Sequence, residues 1–384
     1  MTFQMPFDEG MKSRKACLDR ARRVVVKVGS AILTSESGLA TEVMDHLARQ
    51  LTTLRKKGLE VILVSSGAVA AGRRKLGLTR KNISIKEKQA VAAAGQSSLM
   101  RGYEDIFDRY SQKVAQVLLT RDDLSSRNRY LNVRNTILTL LEWGLIPIIN
   151  ENDTVSVEEL RFGDNDTLGG MISNLIEAEL FICLTDVAGL YTANPASDSL
   201  AEKVCTVAKV TRAVEEMAGN VKSALGTGGM TSKINAARMV AASGGASFIG
   251  PGRQSDIIDQ LFAGEPVGTF FLPNVEKLQR RKHWIAYTLK AQGELVLDEG
   301  ACRAVISGGR SLLPIGIKEV RGRFGVGAPV NCLDESGRLI ASGLVSYPAS
   351  AIETIKGQKT SRIEELLGFI DGEEVIHRDN LVVL

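Results

Sequence analysis

Short apolar runs rich in Val and Ile recur through the first two thirds of the chain, each ending in Gly, Ser, Thr, Asn or Asp. Val24 to Val28, Val61 to Val64, Val114 to Leu119, Leu145 to Ile149, Leu180 to Leu184 and Ala246 to Ile249 read as buried strands. Between them, Glu42 to Lys57, Lys86 to Tyr110, Asn128 to Trp143, Leu168 to Ala178 and Ser232 to Ser243 carry helical periodicity. Strand alternating with helix in this way predicts an α/β fold, an αβα sandwich around a mainly parallel sheet. Ligands of such a sheet bind at the carboxyl ends of its strands.

The pattern changes after Phe271-Leu272-Pro273-Asn274. From Gly293 onward short runs (Glu294 to Leu297, Ala328 to Leu333, Leu339 to Val345) are separated by Asp298-Glu299-Gly300, Gly308-Gly309 and Asp334-Glu335-Ser336-Gly337, and Pro314 and Pro348 break others. This predicts a small, mainly β C-terminal domain. The expected division is a flexible N-terminal extension over 1–20, a catalytic domain over 21–276, and a linker with the small domain over 277–384.

Composition adds limits. The chain has 384 residues, 44% hydrophobic and 24% charged, room for two or three domains at about 150 residues each. Its longest apolar runs, such as Leu145 to Ile149, fall far short of the ~20 residues of a membrane span. The first residues mix Asp8, Glu9 and Asp19 with Lys12, Arg14 and Lys15 and lack the apolar core of a secretory signal. Five dispersed cysteines and three histidines form no disulfide or zinc pattern, which fits a reducing cytoplasm. A net charge of +4 demands neither nucleic acid nor an anionic membrane as partner.

The candidate chemistry lies at the strand ends. Val26-Lys27-Val28-Gly29-Ser30 sets a lysine inside an apolar strand, where it is costly unless an anion meets it; an edge lysine reaching water is the plainer alternative. Ser65-Ser66-Gly67-Ala68-Val69 opens an Ala-rich stretch whose small residues let backbone N–H groups approach a phosphate or carboxylate. Asn150-Glu151-Asn152-Asp153-Thr154-Val155 and Phe162-Gly163-Asp164-Asn165-Asp166-Thr167-Leu168 crowd acids and amides into two loops. One such loop would be a turn former; two within nineteen residues favour a site for an ammonium group or Mg²⁺. Leu225-Gly226-Thr227-Gly228-Gly229-Met230-Thr231-Ser232-Lys233 combines N–H donors, hydroxyls and a lysine at a helix start, equipment for a nucleotide's phosphates. It lacks Walker A spacing.

Together with Thr185-Asp186-Val187-Ala188-Gly189-Leu190-Tyr191, these motifs resemble, in order and spacing, the amino acid kinase family, and within it the branch acting on the side-chain carboxylate of glutamate. The succession of Asn-Glu-Asn-Asp at 150–153 and Gly-Asp-Asn-Asp at 163–166 is particular to that branch. Gly293 to Ala301, Ser311 to Ile317 and Gly322-Arg323-Phe324 resemble the PUA domain that many of its bacterial members carry; Ala328 departs from it, standing where an acidic residue is usual.

The resemblance implies transfer of the γ-phosphoryl group of ATP, with Mg²⁺, to L-glutamate, the first step of proline biosynthesis. No residue is assigned as a metal ligand. Because the substrate carboxylate is itself the nucleophile, cations and N–H donors are needed rather than a proton relay. Lys27 and Lys233 are the candidate catalytic cations, with Asp166 as the acid between them, since two lysines brought together repel. Asp153 and Asn165 suit the substrate ammonium and Ser66 the α-carboxylate; Thr185, Asp186, Thr227, Gly228, Gly229, Met230, Thr231 and Ser232 join the two lysines around ATP. Homo-oligomerisation and feedback by proline are implied by the family alone. The competing readings are a kinase of the same fold for another small acid, or an RNA-binding PUA protein. From Lys277 onward 15 Lys and Arg face 13 Asp and Glu, too even a balance for tight backbone binding to RNA.

Overall fold

A computed structural model describes residues 4–35, 38–80, 83–125, 127–155, 164–195, 198–219, 229–274, 291–369 and 372–384. The chain divides into two compact units, Met1–Lys277 and Leu278–Leu384.

The first unit runs α1 (Phe7–Arg20), β1 (Arg23–Val28), α2 (Ser30–Leu33), a small ribbon of β2 (Thr34–Ser35) and β3 (Gly38–Leu39), α3 (Thr41–Lys56), β4 (Glu60–Ser65), α4 (Ala68–Lys75) and α5 (Ile85–Asp108). There follow β5 (Val114–Leu119), α6 (Arg121–Ser125), α7 (Arg127–Glu142), β6 (Ile146–Glu151), α8 (Asn165–Leu175), β7 (Leu180–Thr185) and β8 (Thr206–Val207). Then come α9 (Arg212–Gly219), α10 (Met230–Ala242), β9 (Ala246–Pro251), α11 (Ile257–Ala263) and β10 (Thr269–Phe271). Eight strands form one sheet in the order β5-β6-β4-β1-β7-β9-β10-β8. All six expected strands are present and pair in parallel. Beyond them β10 runs antiparallel to β9 and carries β8 at the edge, two strands too short to stand out as apolar runs.

Alternation assigns the faces. Val24, Val26 and Val28 share a core with Leu63, Ile148 and Ile182 of the neighbouring strands, with Leu47 and Leu51 of α3, and with Leu99 and Tyr103 of α5. Lys27, one residue out of phase, points to the opposite face, where α8 lies so close that a Cβ on Gly169 would stand 3.4 Å from Cβ of Lys27. The sandwich therefore places β1 at its centre and Lys27 under α8.

The opening residues do not form the flexible extension that their mixed charges suggested. Gly10, Arg14 and Leu18, spaced by four, line the buried face of α1. The Arg14 guanidinium donates to the Val267 carbonyl at 2.7 Å and stacks over the Phe270 ring at 5.4 Å, while Gly10 abuts Thr206. Carbonyl and ring acceptors take the place of a carboxylate, so this charge belongs to the interior.

After β4 the chain turns sharply at Gly67, whose φ of 104° excludes most side chains, and enters α4. This helix crosses α5 at backbone contact. A Cβ on Gly95 would stand 1.9 Å from the Ala68 carbonyl oxygen, and one on Gly72 1.9 Å from that of Val91. The crossing fixes the Ser66–Gly67 turn against the middle of α5.

The second unit is a five-stranded sheet in the order β12-β11-β13-β14-β15, built from β11 (Gly293–Leu297), β12 (Ile317–Gly322), β13 (Pro329–Leu333), β14 (Leu339–Leu344) and β15 (Leu381–Val383). β11 and β13 are parallel and the other pairs antiparallel. Leu295, Leu297, Val330 and Ile352 belong to its own core, and Ala328 is part of that core at 7% exposure. An apolar residue suits that position, because a carboxylate there would need a buried partner.

The glycine crossing generates a prediction. Gly95→Ala drives a Cβ into backbone atoms that cannot swing aside, so it should destabilise the fold by about 2 to 3 kcal/mol, the scale of an overpacked interior. Urea denaturation measures this, and a loss below about 0.5 kcal/mol would show that the helices separate freely.

Candidate active site

Three elements bring three charged groups to one point. Lys27 comes from the carboxyl end of β1, Asp166 from the first turn of α8, and Lys233 from the first turn of α10; all are nearly enclosed, at 5%, 0% and 6% exposure. The Lys27 ammonium pairs with Oδ1 of Asp166 and the Lys233 ammonium with Oδ2 at 3.0 Å. The Ser232 hydroxyl lies 2.7 Å from the same Oδ2, and the Cys183 thiol points at Oδ1 from 3.4 Å. Burial opposes the charge on Asp166, but Lys27 and then Lys233 outweigh it and hold the carboxyl well below its usual range. Burial likewise opposes the charge on Lys27, and Asp166 more than restores it, raising that ammonium above its ordinary value. Cys183 is pushed up to about 12, by burial first and the nearby Asp166 second, so its thiol stays neutral.

On the strand-end side the cluster is bordered by a glycine and by the ends of β7 and α10. Gly29 follows Lys27 within two residues, and a Cβ there would stand 3.6 Å from the Lys27 ammonium nitrogen. Its N–H donates to the Leu184 carbonyl of β7, which brings Thr185 and Asp186 to the same edge; the Thr185 hydroxyl donates to Asp186 at 2.9 Å. Gly229, Met230, Thr231 and Ser232 form the start of α10. Thr227 and Gly228 lie outside the described residues, as do Phe162 and Gly163.

A second cluster is built from amides. Asp164 caps α8 by accepting the Thr167 N–H at 2.8 Å, and the helix it starts presents Asn165 to the end of β4. Nδ2 of Asn165 lies 2.7 Å from the Ser65 carbonyl, 2.9 Å from the Ser66 hydroxyl and 3.0 Å from Oδ1 of Asn150. Asn150 in turn donates to Oε1 of Gln96 on α5 at 3.0 Å. Beside this network a cavity of about 250 Å³ is lined by Ala68, Gln96, Ser97, Asn152 and Asp153 among others.

The expected residues thus fall into two groups. Lys27, Asp166 and Lys233 converge; Ser66 and Asn165 join directly; Asp153 lines the neighbouring cavity. Two organisers went unassigned from sequence. Asn150 stood within a quoted motif, and its position at the end of a buried strand was the available signal. Gln96 had none, being one polar residue in an Ala-rich helix.

No helix among the described residues is long and apolar enough to cross a membrane. Among them, too, no group of three or more His, Cys, Asp or Glu could hold a metal ion, and both Asp166 oxygens are occupied by cations. That donor set does not cage Mg²⁺; it suits an ion that arrives on nucleotide phosphates with its own water.

The description "Amino acid kinase family" matches residues 22–249, and "PUA domain" matches residues 293–367. The chain is 55% identical over 375 residues to the glutamate 5-kinase of Desulfotalea psychrophila, covering 97% of this chain and 100% of that protein. It is 50% identical over 372 residues to the glutamate 5-kinase of Geobacter sp. strain M21 and 48% identical over 373 residues to that of Syntrophus aciditrophicus, with 97% of this chain covered in each case and 100% and 97% of the relatives.

The ion cluster predicts a pH-dependent stability. Asp166→Asn leaves two buried ammonium groups without their anion and should cost about 3 to 5 kcal/mol in urea unfolding at neutral pH. Because the folded state holds the Asp166 pKa down, its contribution is complete above the unfolded value of about 3.9 and is lost as pH falls through the lower folded value. The gap between parent and variant should be constant at neutral pH and narrow below about pH 4. A gap independent of pH would contradict the pairing.

Proposed function

The chain belongs to the amino acid kinase family, and on that premise we infer that it transfers the γ-phosphoryl group of ATP to the γ-carboxylate of L-glutamate. The product is L-glutamyl 5-phosphate, and the reaction opens proline biosynthesis. The observation that carries the reading is the convergence of Lys27 and Lys233, 206 positions apart in the sequence, on Asp166.

In the reaction an oxygen of the ionised substrate carboxylate bonds to phosphorus as the bond to the bridging β,γ-oxygen breaks, and the electron pair leaves on ADP. No proton has to move, so no general base is required. What grows is negative charge on the transferring and leaving oxygens, which buried ammonium groups stabilise strongly. We assign that role to Lys27 and Lys233, with Asp166 holding both in place between turnovers. Mg²⁺, bound with ATP, adds to the neutralisation of phosphate charge. Thr185, Asp186 and residues 227–232 complete the nucleotide site in this reading.

The substrate end is assigned to Asp153 and Asn165 for the ammonium and to Ser66 with the adjoining N–H groups for the α-carboxylate. Asn165 turns its nitrogen inward, which leaves its oxygen for a cationic partner. An acetylated substrate would have no ammonium for Asp153, and the even charge of the second unit supports no RNA partner. Cytoplasmic location, which the dispersed cysteines fit, homo-oligomerisation and proline feedback complete the proposal; the last two rest on the family resemblance.

The direct test is ATP turnover with L-glutamate, N-acetylglutamate and L-aspartate in parallel; L-glutamate should be the preferred substrate, and preference for either other acid would overturn the reading. Lys233→Ala should lower kcat by about 10²-fold or more with folding retained; a change of only a few-fold would remove Lys233 from the mechanism. Asp153→Asn preserves the turn but deletes the charge. It should raise the glutamate KM by roughly 30-fold while the ATP KM moves much less; an equal rise for ATP would place Asp153 on the nucleotide side instead.

A further inference from the structure

The three carboxamides beside the cavity have their polarity fixed by backbone groups that cannot be turned around. The Ser65 carbonyl can only accept, so the atom of Asn165 2.7 Å from it is the amide nitrogen. The Glu151 backbone N–H can only donate, so the atom of Asn150 2.9 Å from it is the carbonyl oxygen. Asn150 must then present its NH₂ group to α5, where Oε1 of Gln96 receives it at 3.0 Å. The remaining end of Gln96, its own NH₂ group, points away from Asn150, and Gln96 lines the cavity that also holds Asn152 and Asp153. Among the described residues that NH₂ group has no hydrogen-bond partner. The backbone that carries Gln96 is held in place, since its neighbour Gly95 sits at backbone contact with Ala68.

An α-amino acid carries ammonium and carboxylate on one carbon. A pocket that offers Asp153 to the ammonium therefore draws in a carboxylate beside it, and that carboxylate needs a donor as it leaves water. We propose that Gln96 is a specificity-determining residue, whose side-chain NH₂ group donates to the α-carboxylate of the bound amino acid and so separates α-amino acids from amines and α-amides of the same length. The inference rests on the reading of the site as a glutamate kinase and adds to it a donor from α5, beside Ser66.

The test compares kcat/KM for L-glutamate with that for L-isoglutamine, which keeps the γ-carboxylate but carries a carboxamide in place of the α-carboxylate. The parent enzyme should favour L-glutamate by about 10-fold or more, as a site built around a charged hydrogen bond does. Gln96→Glu keeps an oxygen for Asn150 but exchanges the donor for an acceptor, and should lower the glutamate-to-isoglutamine ratio by about 10-fold or more with the ATP KM unchanged. Gln96→Met removes the donor without adding charge and should lower the ratio in the same direction. Equal losses on both substrates in the variants would make Gln96 merely structural and overturn the proposal. So would a parent enzyme that does not distinguish the two, a result that needs no variant to fold. A parent enzyme inactive on L-glutamate would instead overturn the underlying reading.

Discussion

Two buried ammonium groups on one carboxylate constrain everything around them. Each lysine alone would be too costly to enclose, and the pair without Asp166 would repel at short range in a medium far less polarisable than water. The three residues must therefore arrive together, and the fold is arranged so that they do. β1 at the centre of the sheet delivers Lys27 to the face opposite Val24, Val26 and Val28, Asp164 starts α8 at the residue that brings Asp166 over it, and α10 begins so that its first turn sets Lys233 alongside.

The same arrangement explains why no acid–base pair is needed. A cluster whose net charge is positive, at the carboxyl edge of a parallel sheet, is a receptor for phosphate charge, and a carboxylate substrate brings its own nucleophile. In the proposed reaction the chemistry reduces to placing two anions end to end, one near Lys27 and Lys233 and one beside the amide network of Asn165, Asn150 and Gln96. α8 joins the halves, because consecutive residues Asn165 and Asp166 serve the two clusters.

Much of this was legible in the sequence, for physical reasons. The inner strands of a parallel sheet are buried on both faces and read as continuous apolar runs, which makes β1, β4, β6, β7 and β9 legible; the edge strand β5 is only half-buried, and its Val and Leu residues still mark it; a lysine within such a run marks Lys27. What escaped were features whose meaning depends on distant partners. Arg14 looked like one charge in a polar leader because the carbonyl and ring that receive it lie more than 250 positions away. β8 and β10 are too short to carry a periodic signal. Gln96 has its orientation set by the polarity imposed by the Glu151 N–H and the Ser65 carbonyl, which no spacing rule encodes.

The claim that Lys27 and Lys233 act as one unit through Asp166 is tested most directly by kcat in Lys27→Met, Lys233→Met and the double variant. If both lysines serve the same developing charge and each depends on the shared carboxylate, the first loss already disables the unit, and the double variant should lose far less than the product of the single effects. Losses that multiply would mean two independent contributions, and the account built on Asp166 would be contradicted.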